Sequence, residues 1–270
     1  MDYQVIDFHT HPFTEIHNNI CNHIEHCDMS VENTVTYLKS IGFSKICGSV
    51  ICSSELHKRD QYHKDYESDW EMIEASNNAA FWLKEQYGDF YIPGFHVHPG
   101  YVQKSCDLIE EMSKKGVRLI GELVPYLHGW EDYSCKAFDE ILDVATEYNM
   151  VVSVHTIAEQ PDQMDEMVKK HPKTVFVAAH PVGAHIFARH LKRMEMSENY
   201  YLDLSGTGLF RHGLLRHGID EFGAERFIFG TDYPTCNPAM FLGGVLLDTM
   251  ITEQEKKLIL ADNAKRLLGL

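Results

Sequence analysis

A (β/α)8 TIM barrel is the fold this sequence predicts, and three observations carry that reading. Apolar strand-like runs alternate with amphipathic helical runs along the 270 residues, the pattern of a parallel α/β fold. Eight such strand–helix units can be drawn, and eight units in this length match a barrel. The rival is an open doubly wound sheet, which would carry a glycine-rich nucleotide loop after its first strand; here His9-Thr10-His11 stands in that place.

The elements follow in order. The first strand, 4–8, is the apolar opening run that leads into His9 and His11, and a helix over 31–40 follows it. Strand 45–51 precedes helix 70–87, whose Phe81-Trp82 pair reads as ordinary packing. Strand 90–97 precedes helix 105–115, strand 117–124 precedes helix 135–148, and strand 150–155 precedes helix 162–170. Strand 174–180 precedes helix 186–196, where Met194 and Met196 are packing residues. Strand 200–205 precedes helix 214–222, and strand 226–232 precedes helix 238–250. An extra C-terminal helix begins at Thr252-Glu253-Gln254-Glu255, a capping box with Thr252 as N-cap, and presents Leu258, Leu260, Leu267 and Leu268 on an apolar face. No linker, repeat or low-complexity tract interrupts this order, so one domain over 1–270 is expected. The longest connections, 10–30 and 52–69, both follow strands and so lie over the catalytic face as pocket walls or lids.

Composition narrows the function. The formal net charge is −16, which repels a nucleic-acid backbone unless Lys and Arg are concentrated locally. The basic clusters, Lys114-Lys115 and Lys169-Lys170, are short and lie in helices, where they read as solvated outer faces. A small-molecule substrate is expected, with no nucleic acid; a homo-oligomer is left open. No apolar run is long enough to span a membrane, and the N-terminus lacks a basic segment followed by an apolar one. The seven cysteines are odd in number and contain no Cys-x-x-Cys pair, so a disulfide framework is not expected and a reducing cytoplasm is.

The chemistry sits at the strand ends. Residues two apart on a strand face the same side, so His9 and His11 can share one metal ion. Strand four carries Glu122, strand five ends in His155, strand six in His180 and strand eight in Asp232. Each of these polar residues closes an apolar run, where an ionisable side chain is costly unless paired or metal-bound. Singly, each has an ordinary explanation: a satisfied histidine at the core edge, a turn-starting Asp232, a solvated Glu122. Six such residues at one barrel mouth make a joint accident a poor account. Four histidines and two carboxylates form a nitrogen–oxygen site suited to a divalent metal, Zn2+ first, with Mn2+, Fe2+ or Ni2+ also suited.

Over its full length the chain resembles the amidohydrolase superfamily, and within it the amidohydrolase-2 branch. The carrying motifs are Ile6-Asp7-Phe8-His9-Thr10-His11, Val154-His155, Ala179-His180-Pro181, Phe229-Gly230-Thr231-Asp232-Tyr233-Pro234 and the tail Asp262-Asn263-Ala264-Lys265-Arg266-Leu267-Leu268. The resemblance implies that His9, His11, His155, His180 and Asp232 occupy ligand and catalytic positions. Many members bridge two metals with a carboxylated lysine on strand four, whereas this chain offers Glu122, as TatD-like relatives do. A carboxylate can bridge two cations as a carbamate does, so two ions are preferred. His9, His11, Asp232 and one Glu122 oxygen would hold the first; the other Glu122 oxygen, His155 and His180 would hold the second. The alternative is one metal on His9, His11, His155 and Asp232, with His180 hydrogen-bonding the nucleophilic water. Water at such a metal loses a proton near neutral pH, and Asp232 can accept that proton and pass it to the leaving group.

The leading function is therefore a metal-dependent hydrolase of an amide, ester or lactone. The alternatives are a decarboxylase or hydratase of a small carboxylic acid, a TatD-like phosphodiesterase, and a non-catalytic metal-binding protein. Candidate substrate contacts are His98 at the end of strand three, Tyr126 and His128 after strand four, Arg211 after strand seven and Tyr233 beside Asp232. The segment Cys21-Asn22-His23-Ile24-Glu25-His26-Cys27 lacks the spacing of a structural zinc site and is read as a loop.

Overall fold

Alternating residues of the strands separate into two apolar layers. A computed structural model describes residues 3–12, 30–51, 66–130, 132–208 and 211–270. Its strands are β1 (Ile6–Asp7), β2 (Lys45–Gly48), β3 (Tyr91–Phe95), β4 (Leu119–Leu123), β5 (Val151–His155), β6 (Val175–Ala179), β7 (Tyr200–Asp203) and β8 (Phe227–Ile228). The helices between and after them are α1 (Val31–Ser40), α2 (Asp69–Tyr87), α3 (Val102–Lys114), α4 (Lys136–Glu147), α5 (Pro161–Lys170), α6 (Ala184–Met196), α7 (Leu214–Phe222) and α8 (Pro238–Leu246).

Leu119, Val151, Val177, Tyr201 and Ile228 join Ile6, Phe8 and Cys47 in one buried cluster, the barrel interior. Their strand neighbours Ile120, Val152, Phe176, Ala178, Tyr200, Leu202 and Phe227 face the other way, into the layer shared with the helices. The strands pair in sequence order, all parallel. The first and last meet just beyond their ladders: Phe8 N donates to Phe229 O (2.9 Å), Asp232 N to His9 O (2.8 Å) and His11 N to Tyr233 O (2.7 Å). The chain is a (β/α)8 TIM barrel, as its sequence predicts.

Caps explain several helix starts. Ser30 and Ser68 accept from the backbone amides of Asn33 and Glu71 at the heads of α1 and α2. Asn237 accepts from Ala239 N and Met240 N ahead of Pro238 in α8. The Thr252–Glu255 capping box is formed reciprocally and opens α9 (Glu253–Lys257).

Two expectations change in detail. The closing helix is not one continuous α-helix: α9 passes through a π turn (Leu258–Asp262) before α10 (Asn263–Leu268). Within that wider turn the Ile259 carbonyl accepts from Phe229 N (2.9 Å), and Asn263 Nδ2 donates to Ala224 O and Phe227 O (both 2.8 Å), so β8 is bonded to the tail. Ala261, Ala264 and Leu268 then complete the interior cluster. Strands one and eight are shorter than expected, because Phe8–His11 and Phe229–Tyr233 leave regular pairing to bond each other and to form the mouth.

Among the described residues, Cys47, Cys106 and Cys135 are free thiols, and no helix is long and apolar enough to cross a membrane. The segment 21–27 and most of the two long connections, 13–29 and 52–65, lie outside the described residues.

Candidate metal centre

The barrel mouth brings six titratable side chains from five strands into one cluster. His9 and His11 follow β1, Glu122 lies within β4, His155 ends β5, His180 follows β6 and Asp232 follows β8. His9 Nε2 lies 3.0 Å from His11 Nε2. Glu122 Oε2 is 3.4 Å from His9 Nε2 and 3.2 Å from His11 Nε2. Asp232 Oδ1 is 3.7 Å and 3.6 Å from the same two nitrogens. The other Glu122 oxygen, Oε1, is 3.0 Å from His155 Nδ1 and 3.4 Å from His180 Nε2. Glu122 thus turns one oxygen to each of two histidine pairs.

This donor set fits divalent cations. Donors about 2.1 Å from a common tetrahedral zinc are about 3.4 Å apart. The separations around Glu122 Oε2 and around Glu122 Oε1 run from 3.0 Å up to that spacing, and each group of three donor atoms lies within 4.8 Å.

The nitrogens not facing the centre are held from behind. His9 Nδ1 bonds Asp203 Oδ2 (2.7 Å), His11 Nδ1 bonds Ser49 O (3.1 Å), and His180 Nδ1 bonds Ser205 Oγ (3.1 Å). Ring protons on those Nδ1 atoms leave the Nε2 lone pairs free for a cation. Asp203 and Ser205 were not foreseen, yet their signal is the one that marked the others: polar residues closing the apolar run of strand seven.

Electrostatics bind the cluster together. Burial opposes charge on His9, but the Asp203 and Glu122 carboxylates outweigh it and hold the imidazolium well above its usual range. Burial likewise opposes ionisation of Glu122, and His9 and His155 overcome it, keeping the carboxyl well below its usual range. Asp7 differs: burial lifts it to about 7, although Thr231 and the His9 amide bond it.

Local backbone is constrained around the centre. His180 and Asp232 have φ of 73° and 63°, a left-handed conformation uncommon for non-glycine residues and often retained at working sites. Gly206, at φ 64°, lies against the His180 ring; a Cβ there would collide with Nδ1.

The candidate substrate contacts fall into different surroundings. Tyr126 is half exposed, and its hydroxyl lies 3.3 Å from His155 Nε2. Burial and then the Glu122 and Asp232 carboxylates push its phenol up to about 12, so it stays neutral. Arg211 is exposed near Gly183. Tyr233 is buried, with its hydroxyl 3.3 Å from Thr34 Oγ1. His98 is buried, Nε2 bonds His128 O (2.8 Å), and Nδ1 accepts from Gly100 N (2.9 Å), so its ring is held by the backbone. His128 is fully buried against the His96 ring (centroids 4.5 Å apart), and among the described residues neither of its ring nitrogens has a hydrogen-bond partner.

His96 gives a pH prediction. Burial, against one bond to Val50 O, lowers it from 6.5 to about 4. The unfolded chain takes up this proton below about 6.5 and the folded chain only near 4, so stability is intact above that window and is lost as pH falls through it. The loss at pH 5 is about 2 kcal/mol. Urea unfolding of chelator-treated protein at pH 7 and pH 5 should show a smaller acid loss for His96→Asn than for wild type; equal losses would exclude this origin.

A cavity of about 810 Å³ lies away from this centre. Lys45, Lys84, Arg118 and Leu268 line it around the strand starts, at the opposite end of the barrel.

A family model described as amidohydrolase matches residues 6–270. No curated protein matches the chain. Among solved structures, a 2,6-dihydroxybenzoate decarboxylase from Rhizobium is similar at 13% identity and TM-score 0.73, covering 99% of each chain. A 5-carboxyvanillate decarboxylase from Novosphingobium aromaticivorans, with bound manganese, has 13% identity and TM-score 0.70 over 100% of this chain and 98% of that one. A TIM-barrel protein from Bordetella bronchiseptica has 18% identity and TM-score 0.70 over 98% of each chain.

Proposed function

The chain belongs to the amidohydrolase family, and on that footing we propose that it is a metal-dependent hydrolase that opens an amide, ester or lactone of a small molecule at a two-cation centre. One observation carries this reading: the two oxygens of Glu122 face separate histidine pairs, His9 with His11 and His155 with His180. His9, His11, Asp232 and Glu122 Oε2 would hold one cation; Glu122 Oε1, His155 Nδ1 and His180 Nε2 would hold the other. Zn2+ and Mn2+ both suit these donors. When bound, such cations supply Lewis acidity to a substrate oxygen and acidify water. Asp232 accepts the proton of the attacking water on its carboxylate and delivers it to the departing nitrogen or oxygen. Its side chain is more open than those of His9, His11 and Glu122, as a group that must meet solvent and substrate should be. Asp203, Ser49 and Ser205 keep the histidines in the tautomers this arrangement needs.

The solved decarboxylases, one holding manganese, favour a second reading: release of carbon dioxide from a small carboxylic acid on the same scaffold. A substrate panel separates the two. Chelated and Mn2+- or Zn2+-reloaded protein would be offered lactones, esters and amides beside hydroxybenzoates, following acid release and carbon dioxide release. Cation-dependent hydrolysis without carbon dioxide is expected. Carbon dioxide from a hydroxybenzoate would put the second reading first, and no turnover of either class after reloading would count against an enzyme of either kind.

A further inference from the structure

Among the four histidines of the cluster, His155 is held differently. The outward nitrogens of His9, His11 and His180 rest on Asp203, the Ser49 carbonyl and Ser205, all buried. Among the described residues, His155 Nε2 meets only the hydroxyl of Tyr126, a half-exposed side chain on the short 3-10 turn Pro125–Leu127 that follows β4. The ring is edge-on to the tyrosine, with centroids 5.5 Å apart at 79°. Its other nitrogen, Nδ1, lies 3.0 Å from Glu122 Oε1. β4 and its turn therefore touch both sides of one imidazole, Glu122 on the inner side and Tyr126 on the outer. Tyr133 ties the same region together, its hydroxyl bonding Leu123 O (2.9 Å) and His155 O (3.0 Å).

A histidine that ligates through Nδ1 must carry its proton on Nε2, and that proton needs an acceptor to fix the tautomer and the ring plane. The Tyr126 oxygen is placed to be that acceptor, its own hydroxyl hydrogen turning to solvent. We infer that Tyr126 is the positioning residue of the second cation site: it presents His155 Nδ1 to the cation shared with Glu122 and His180, and makes occupancy of that site depend on the turn after β4. This rests on the two-cation reading above. It also separates the two sites by the character of their supports, buried and fixed for His9 and His11, surface-borne for His155.

Titration of metal-free protein with Mn2+ tests this, by calorimetry and by the electron paramagnetic resonance signal of an exchange-coupled manganese pair. Wild type should bind in two steps and show the coupled signal. Tyr126→Phe, at a half-exposed position where the fold tolerates the loss of one hydroxyl, should keep the first step and weaken the second about 10- to 100-fold, with the coupled signal appearing only at correspondingly higher Mn2+. Two unchanged steps, or equal weakening of both, would overturn the role of Tyr126 while leaving the Glu122 bridge in place. A single step in wild type would overturn the two-cation reading itself.

Discussion

Glu122→Ala should release at least one of the two cations and abolish most turnover while the barrel still folds. The side chain is buried, yet among the described residues it is the one anion that both histidine pairs approach, at 3.0 to 3.4 Å. Removing one partner from a buried charge cluster costs roughly 3–5 kcal/mol. Expressed as cation affinity, that is on the order of 100- to 1,000-fold or more. His9 would keep Asp203 behind it and so remain oriented, whereas His155 and His180 would lose the acidic oxygen they share. The second cation should therefore leave first. Glu122→Gln, which keeps the shape of the side chain, guards against a folding artefact: it should melt near wild type and still lose the pair. Elemental mass spectrometry gives the count, and two equivalents per chain in the variant would remove Glu122 from the centre.

Asp232→Asn should separate chemistry from binding. Asp232 Oδ1 is 3.6 to 3.7 Å from the His11 and His9 nitrogens, and an amide oxygen can hold that position. What the amide cannot do is accept a proton from the attacking water. General acid–base catalysis contributes about 10²- to 10⁴-fold, so kcat should fall by that amount with KM little changed. Metal content should stay within the range of wild type, and the left-handed backbone at this position, φ 63°, is one that asparagine also tolerates. A variant fully loaded with metal and turning over at the wild-type rate would deprive Asp232 of its proton-transfer role.

The barrel was legible because its information is local. Each strand is a short apolar run whose alternate residues divide between interior and helix layer, and each helix brings its own cap or apolar stripe. The residues clustered at the mouth were legible for a related reason: an ionisable side chain at the end of an apolar run needs a partner, and parallel strands gather all such ends on one face. Asp203 and Ser205 carry the same mark on strand seven, but neither belongs to a histidine motif, so sequence alone does not set them apart from ordinary polar strand ends. The behaviour of His98 was not legible. A His-x-His-Pro at a strand end looks chemical, and only the three-dimensional path shows both its ring nitrogens taken by His128 O and Gly100 N. The π turn was hidden too, since it depends on Phe229 reaching the carbonyl of Ile259, thirty residues on. Substrate identity depends on loop shape, which neither hydrophobic period nor motif spacing encodes.

The most direct test of the central claim is the anomalous scattering of crystals of the manganese-loaded protein. The account predicts two peaks flanking Glu122, one against His9, His11 and Asp232 and the other against His155 and His180, each beside a different carboxylate oxygen. A single peak beside His9 and His11, with His155 and His180 bound to no ion at full loading, would contradict it.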